Sequence, residues 1–300
     1  MIGKHVEIFL VDGKPGGITT AEIAGWTGHV LFGPRSDMAR MLGREEVSRN
    51  GVYLLLGSDA GALEGVVCYV GRTEDFRNRL SSHHLNKDFW DHVVVISAKD
   101  DAFNEGHWAY LEARLIVIAK QAARSSLVNA NVPQVRKLSE AQRSDMEAFI
   151  SELKIVLPVL GINVLRGADE NSELRKPEKE SPTFTLRKRR SGYKYDVRGR
   201  FVDGEFVVLE GSVVVAEWRG QAHAASTARA YAAFKALHQR LIDEGSIAVV
   251  DGKGIVTRDI PFSSPSYAAS VVKGTSCNGR TNWEWEGGTL GEWEDRDLPG

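Results

Sequence analysis

Between residues 51 and 112 the chain sets two tyrosines, a cluster of arginines, a histidine and a glutamate in a spacing that could do chemistry. Tyr53 lies in the apolar run 51–56 and Tyr69 in a second, 66–71, with a glycine-containing break between them. Arg72, Arg77, Arg79 and His83 follow at once, and Glu112 stands in the middle of a longer helical pattern. These side chains suit the handling of a phosphate beside one divalent cation. A guanidinium fork grips non-bridging oxygens, a carboxylate holds a hard metal ion, and a phenol or imidazole orients a water or carries its proton.

The elements that must position these groups follow from the pattern. Two β-rich runs around a short glycine-containing loop read as an antiparallel hairpin, which brings Tyr53 and Tyr69 onto neighbouring strands. Thr73 reads as the N-cap of a helix with Glu74 and Asp75 in its first turn. On that helix Phe76, Leu80 and His83 share a face, Arg79 lies at its margin and Arg77 turns away. Arg79 and His83 are four apart, so their heads can converge. Val93 to Ile96 reads as a third strand before a helix over 105–123, whose apolar stripe is Trp108, Leu111, Leu115, Ile116 and Ala119. Glu112 falls inside that stripe. A carboxylate on a buried face must be paired, hydrogen-bonded or bound to metal, and a salt bridge to Arg79 or Arg72 would satisfy it as well as a cation.

Gly51-Val52-Tyr53, Tyr69-Val70-Gly71, Arg79 and Glu112 together resemble the GIY-YIG endonuclease domain over roughly residues 51–131. Valine replaces isoleucine in both triplets, and the step of sixteen residues from Tyr53 to Tyr69 implies a longer hairpin loop than is usual. By resemblance, Tyr53, Tyr69, Arg79 and His83 are expected to be catalytic, Glu112 to be both catalytic and the metal ligand, and Asn129 (with Asn131 close by) to match the downstream asparagine. The cation implied is one Mg²⁺ or Mn²⁺ per site. Arg72 is expected at the substrate phosphate or beside a tyrosine. A free tyrosine has a pKa of about 10, so a tyrosine acting as base needs nearby cations to lower it.

With 38 basic and 40 acidic residues the net charge is −2, and 42% of residues are hydrophobic. Any contact to DNA must then rely on a local basic patch. No long apolar run and no signal-like leader is legible, so a membrane partner is not expected. Cys68 and Cys277 are too few and too far apart for a zinc site or a disulfide framework, which points to a reducing, cytoplasmic setting.

Three segments are expected: a nuclease domain with an N-terminal elaboration over 1–165, a charged linker over 166–190, and a C-terminal domain over 191–300. In the first, 6–10 reads as a strand, 21–24 and 28–32 as a second hairpin and Ser36 as the cap of a short helix, all packing against the nuclease sheet. Ser139 opens a capping box for a bracing helix. The linker ends in Arg187, Lys188, Arg189 and Arg190, which read as a solvated strand end or as a contact to phosphate backbone. Beyond it, alternating runs, a helix over 227–242, a helix begun by Ser264-Pro265 and ended by Gly274, and an Asn278-Gly279 hairpin turn read as a second α+β domain. Phe262 to Ala269, followed by Gly274, Asn278-Gly279 and Trp283, resembles a small domain of unknown function found after GIY-YIG domains in some bacterial proteins. Trp283 and Trp285 read as core packing, with stacking on unpaired bases as the alternative.

The fold class expected is therefore α+β: a small sheet flanked by helices, then a second α+β domain. The expected function is divalent-metal-dependent hydrolysis of DNA, with RNA open as a substrate and a homodimer compatible with it. The alternative is a nucleic-acid-binding or assembly protein that keeps the nuclease fold without cutting.

Overall fold

The computed structural model describes residues 3–59, 65–100, 103–134, 137–167, 181–188, 195–202, 204–221 and 225–296. The chain is α+β and divides into two compact units, one formed by residues 1–59 and 64–168 and the other by residues 60–63 and 169–300. No helix among the described residues is long and apolar enough to cross a membrane.

In the first unit the elements run β1 (Val6–Leu10), β2 (Thr19–Ile23), β3 (Gly28–Pro34), α1 (Met38–Leu42), β4 (Gly51–Ser58), β5 (Val66–Thr73), α2 (Phe76–Asn86), β6 (His92–Ala98), α3 (Glu105–Ala122), β7 (Ser126–Leu127) and α4 (Glu140–Val159). They form one sheet in the order β1-β2-β3-β6-β4-β5-β7. The N-terminal strands do not pack against the sheet of β4, β5 and β6; they extend it, because β3 pairs antiparallel with β6 from Gly28↔Ala98 to Pro34↔His92. β4 and β6 are apolar along nearly their whole length, as suits strands covered on both faces. One face packs Val52, Leu54, Val70 and Ile96 under α3 and α4. The other packs Leu31, Leu55 and Val95 under α1 and α2.

β4 and β5 form the expected hairpin, paired from Gly51↔Thr73 to Ser58↔Val66. The backbone N–H of Asp59 donates to the Gly65 carbonyl at 2.7 Å; the longer loop expected beyond it falls on residues 60–64, outside the described residues. Thr73 is not the cap of α2. It stays in β5, and the Asp75 carboxylate caps the helix by accepting from the Asn78 amide at 3.0 Å. Ser36 likewise lies in a 3₁₀ turn, Arg35–Asp37, that leads into α1. The capping box at Ser139 forms as expected.

The second unit contains β8 (Phe184–Lys188), β9 (Tyr195–Val202), β10 (Glu205–Val208), β11 (Val213–Val215), α5 (Ala225–Asp243), β12 (Ile247–Val250), β13 (Lys253–Val256), β14 (Ile260–Phe262), α6 (Pro265–Lys273), α7 (Gly279–Asn282), β15 (Glu284–Trp285), β16 (Gly288–Thr289) and α8 (Leu290–Asp295). Its sheet runs β12-β13-β11-β9-β8-β15-β16, with β10 pairing β9 and β14. The linker expected over 166–190 is shorter than that: Phe184 and Leu186 of β8 are buried in this core and pair with β9. Asn278-Gly279 is not a hairpin turn either. Asn278 caps α7, and the hairpin lies one step on, between β15 and β16. Trp283 is fully buried against Phe206, at 4.7 Å between ring centroids, and its indole N–H donates to the Pro265 carbonyl. It is core, with no face left for a base.

Candidate functional site

The hairpin register makes Tyr53 and Tyr69 neighbours on one sheet face. Tyr53 lies opposite Gly71 and Tyr69 opposite Leu55, so both side chains project to the side covered by α2. Their ring centroids are 6.1 Å apart. Gly71 makes room for this. A Cβ there would come within 2.5 Å of the Tyr53 hydroxyl, so the glycine after Tyr69-Val70 is required by the phenol across the ladder. Gly51 is constrained in the same way, since a Cβ would reach 2.1 Å from the Ile96 carbonyl.

α2 then delivers its polar groups onto Tyr53. Phe76 and Leu80 anchor the helix in the core, and His83, one turn on, is 6% exposed. His83 Nε2 lies 2.7 Å from the Tyr53 hydroxyl, and Arg79 Nε donates to the same oxygen at 3.1 Å. Arginine can only donate, so the phenol accepts from Arg79, and in the tautomer with Nε2 unprotonated its own hydrogen is directed there. Burial, with Arg79 and Lys87 adding to it, pushes the His83 imidazole down to about 4, so it stays a neutral acceptor at pH 7. Burial raises the Tyr53 phenol above its ordinary value; the Arg79 hydrogen bond opposes this and does not overcome it. The shift is the reverse of what a standing phenolate base needs. Tyr53 can instead pass a proton on to His83.

Lys87 was not foreseen. It lies 4.7 Å above the Tyr69 ring, a cation over an aromatic face. The four-residue step linking Arg79 to His83 repeats from His83 to Lys87, so the signal was present in the spacing. Trp90 holds the backbone of this turn, donating from its indole N–H to the His83 carbonyl at 3.4 Å.

Glu112 stands on α3, with its side chain 13% exposed. Arg72 Nε meets its Oε2 at 3.2 Å, while Arg72 Nη1 meets Glu105 at 3.1 Å. The salt bridge weighed against metal binding is thus present, and its partner is Arg72. Burial nevertheless raises the Glu112 proton affinity, with Arg72 and then Arg79 acting against the rise. Glu112 therefore feels the same guanidinium that holds Tyr53. Among the described residues no group of three or more His, Cys, Asp or Glu side chains is arranged to hold a metal ion. The fit is to a hard ion that takes one carboxylate and fills its other positions with water and phosphate oxygen. Glu112 could supply that one carboxylate only in exchange for its contact with Arg72.

Asn129 grips the edge of β5. Its Oδ1 accepts from the Val70 amide and its Nδ2 donates to the Val70 carbonyl, both at 2.8 Å. Asn131 is exposed. Asn129 thus fixes the strand between Tyr69 and Arg72. The basic run is not brought to this cluster in any described contact. Arg187 is exposed and pairs with Asp196 at 2.9 Å, Lys188 ends β8, and Arg189 and Arg190 lie outside the described residues.

No curated protein and no solved structure matches the chain. Residues 186–294, within the second unit, match the family model described as a domain of unknown function (DUF4357).

Proposed function

We propose that the first unit is a divalent-metal-dependent endonuclease of the GIY-YIG type acting on DNA. The observation that carries this reading is the Tyr53 hydroxyl held between Arg79 and a neutral His83. Such a phenol can orient a water through its remaining lone pair and relay the proton toward Nε2. Arg79 keeps N–H donors beyond the one used on Tyr53 and would grip a non-bridging phosphate oxygen. Glu112 would hold one Mg²⁺ or Mn²⁺, which supplies charge neutralisation at the phosphate when bound. Arg72, held by Glu112 and Glu105, would keep the carboxylate aimed. Asn129 would hold β5 in register so that Tyr69 and Arg72 keep their places.

A second reading draws support from the Arg72–Glu112 pair itself. A carboxylate already engaged by an arginine suits a nuclease fold that binds nucleic acid without cutting. Supercoiled plasmid incubated with the purified chain separates the two. The nuclease reading expects nicked or linear product with Mg²⁺ or Mn²⁺, and none with chelator or in Glu112→Ala. Binding by gel shift, with the plasmid intact under every cation tested, would favour the second reading; equal cutting by Glu112→Ala and parent would overturn the mechanism. The same assay on single-stranded RNA tests the wider substrate range.

A further inference from the structure

The second unit holds a cavity of about 700 Å³ that the proposed chemistry does not use. Its size is within the roughly 300–1,000 Å³ of small-molecule sites. The wall is built by the start of β9, the end of β11 and the loop after it, the tip of the β12–β13 hairpin, and the end of α6. All of these lie inside the matched residues 186–294.

Two polar groups stand on the wall of this cavity. Tyr195 is 7% exposed and lines it, and a phenol can donate to a bound oxygen. Lys273, half-buried on the same wall, reaches only the Cys277 sulfur at 3.4 Å and the Asn282 side-chain oxygen at 3.3 Å. No carboxylate pairs with it among the described residues. The ammonium is near enough to act on the Tyr195 phenol, lowering its proton affinity against the burial that raises it. Thr275 adds a hydroxyl, and Arg219, paired with Glu217 at 3.5 Å, adds a second cation. Val215 and Val249 supply apolar wall.

The wall is held by close backbone packing. The amides of Arg219 and Gly220 both donate to the Gly274 carbonyl, at 3.2 and 2.7 Å. A Cβ on Gly220 would meet Thr275 Cα at 2.9 Å, so the loop after β11 can lie this near the end of α6 only with glycine there.

We propose that this cavity binds a phosphomonoester carried on a compact, partly apolar body of mononucleotide size, with Lys273, Tyr195 and Thr275 donating to the phosphate oxygens. Phosphate is preferred to carboxylate because several donors from separate elements meet one ligand, and a phosphomonoester offers three acceptor oxygens and more charge. A free nucleotide and the 5′-phosphorylated end of a strand present the same chemistry. The inference does not depend on the nuclease reading of the first unit.

Calorimetric titration of the full chain in chelator, where no metal-dependent cleavage occurs, tests it with AMP, adenosine, inorganic phosphate, and a trinucleotide with and without a 5′-phosphate. AMP is expected to bind at one site per chain, and adenosine about tenfold more weakly or worse. Lys273→Gln is expected to weaken AMP about tenfold or more, and Tyr195→Phe about threefold to tenfold. Tighter binding by the phosphorylated trinucleotide than by AMP assigns the site to strand ends, and the reverse order to free nucleotide; both support the site. If Lys273→Gln proves unstable, Tyr195→Phe and the shift of the Thr275 and Gly220 amide resonances on adding AMP decide. The proposal is overturned if AMP and adenosine bind alike, if Tyr195→Phe binds like the parent with those amides unmoved, or if no phosphorylated probe saturates.

Discussion

Two carboxylates on the helices covering one face of the first sheet are each paired with arginine, and their proton affinities move in opposite directions. Glu147, on α4, accepts from the Tyr110 hydroxyl and from Arg114 Nε, each at 2.7 Å, and from Arg114 Nη2 at 3.1 Å. Both donors stand on α3, so the cluster clamps the two helices together. Burial acts against the Glu147 charge, but the Arg114 and Tyr110 hydrogen bonds outweigh it and hold the carboxyl below its usual range. Glu112 is more enclosed, at 13% side-chain exposure against 42%, yet it has one arginine, and that arginine is shared with Glu105. In Glu112 burial wins and the proton affinity rises. Glu147 is satisfied where it stands. Among the described residues Glu112 meets only Arg72, through the guanidinium and the backbone amide, and burial outweighs both.

The sharpest way to break this comparison is to remove each group in turn and measure plasmid cleavage. Glu112→Ala and Arg79→Ala are expected to lower the rate by about a hundredfold to a thousandfold, the scale of losing one preorganised charge partner of a reacting group. Tyr53→Phe keeps the ring packing and removes only the hydroxyl, and is expected to lose about as much. Glu147→Ala is expected to cut at the parent rate. A Glu147→Ala protein as inactive as Glu112→Ala, with its fold intact by circular dichroism, would erase the distinction.

A pH series tests the other half of the site. His83 sits near 4 in the folded chain against an ordinary 6.5, so between those values the unfolded chain binds the extra proton. This contribution to stability is present above about 6.5 and is lost as pH falls toward 4. Its cause is burial, and beside the imidazole stand the Arg79 and Lys87 cations and the two phenols. Cleavage should accordingly hold its rate through pH 6 and decline only near pH 4–5. Direct NMR titration of the His83 ring protons checks the assignment apart from activity. A midpoint near 6.5 would show that the imidazole is not held neutral, and the proton relay through Tyr53 would fail with it.

Thermal unfolding gives a smaller but cleaner contrast. Glu147→Gln removes a carboxylate whose proton affinity is lowered by folding, so it deletes stability present at neutral pH. Solvent screening of the partly exposed group limits the loss to about 1 kcal/mol, a fall of about 2–4 °C for a unit of this size. Glu112→Gln removes a carboxylate whose proton affinity folding raises, so the melting temperature should hold or rise. A fall for Glu147→Gln with none for Glu112→Gln would separate the two pairs. A larger fall for Glu112→Gln than for Glu147→Gln would mean that the Arg72–Glu112 bridge is the stabilising one.

What the sequence made legible follows the reach of local rules. The hairpin, the shared face of Tyr53 and Tyr69, and the convergence of Arg79 and His83 rest on periods of two and of four residues within one stretch. The anomaly of Glu112 was visible because a charge interrupted an apolar stripe. Non-local pairing was not visible. No local pattern reveals that β3 pairs with β6, so the N-terminal strands read as a layer beside the sheet when they are part of it. β8 was lost inside the charged linker because Phe184 and Leu186 are only two apolar residues among prolines and charges. Cap choice at α2 turned on one competition: Thr73 is held by Gly51 across the ladder, which leaves Asp75 to cap.

The smallest effect is expected at the basic run before β9. Arg187 is exposed, and its charge is already met by Asp196, an arrangement worth little to stability. A phosphate must displace that carboxylate to gain the contact, so Arg187→Ala should weaken binding to a DNA duplex only a few-fold. The slope of log affinity against log salt should then change by less than about one. Asp196→Ala sharpens the point, because it frees the guanidinium without removing it. If Arg187 touches the backbone at all, Asp196→Ala should strengthen binding at low salt and steepen that slope. If the arginine is only a solvated strand end, both variants will leave the slope where the parent has it, and the DNA-binding charge must be sought nearer Arg72 and Arg79.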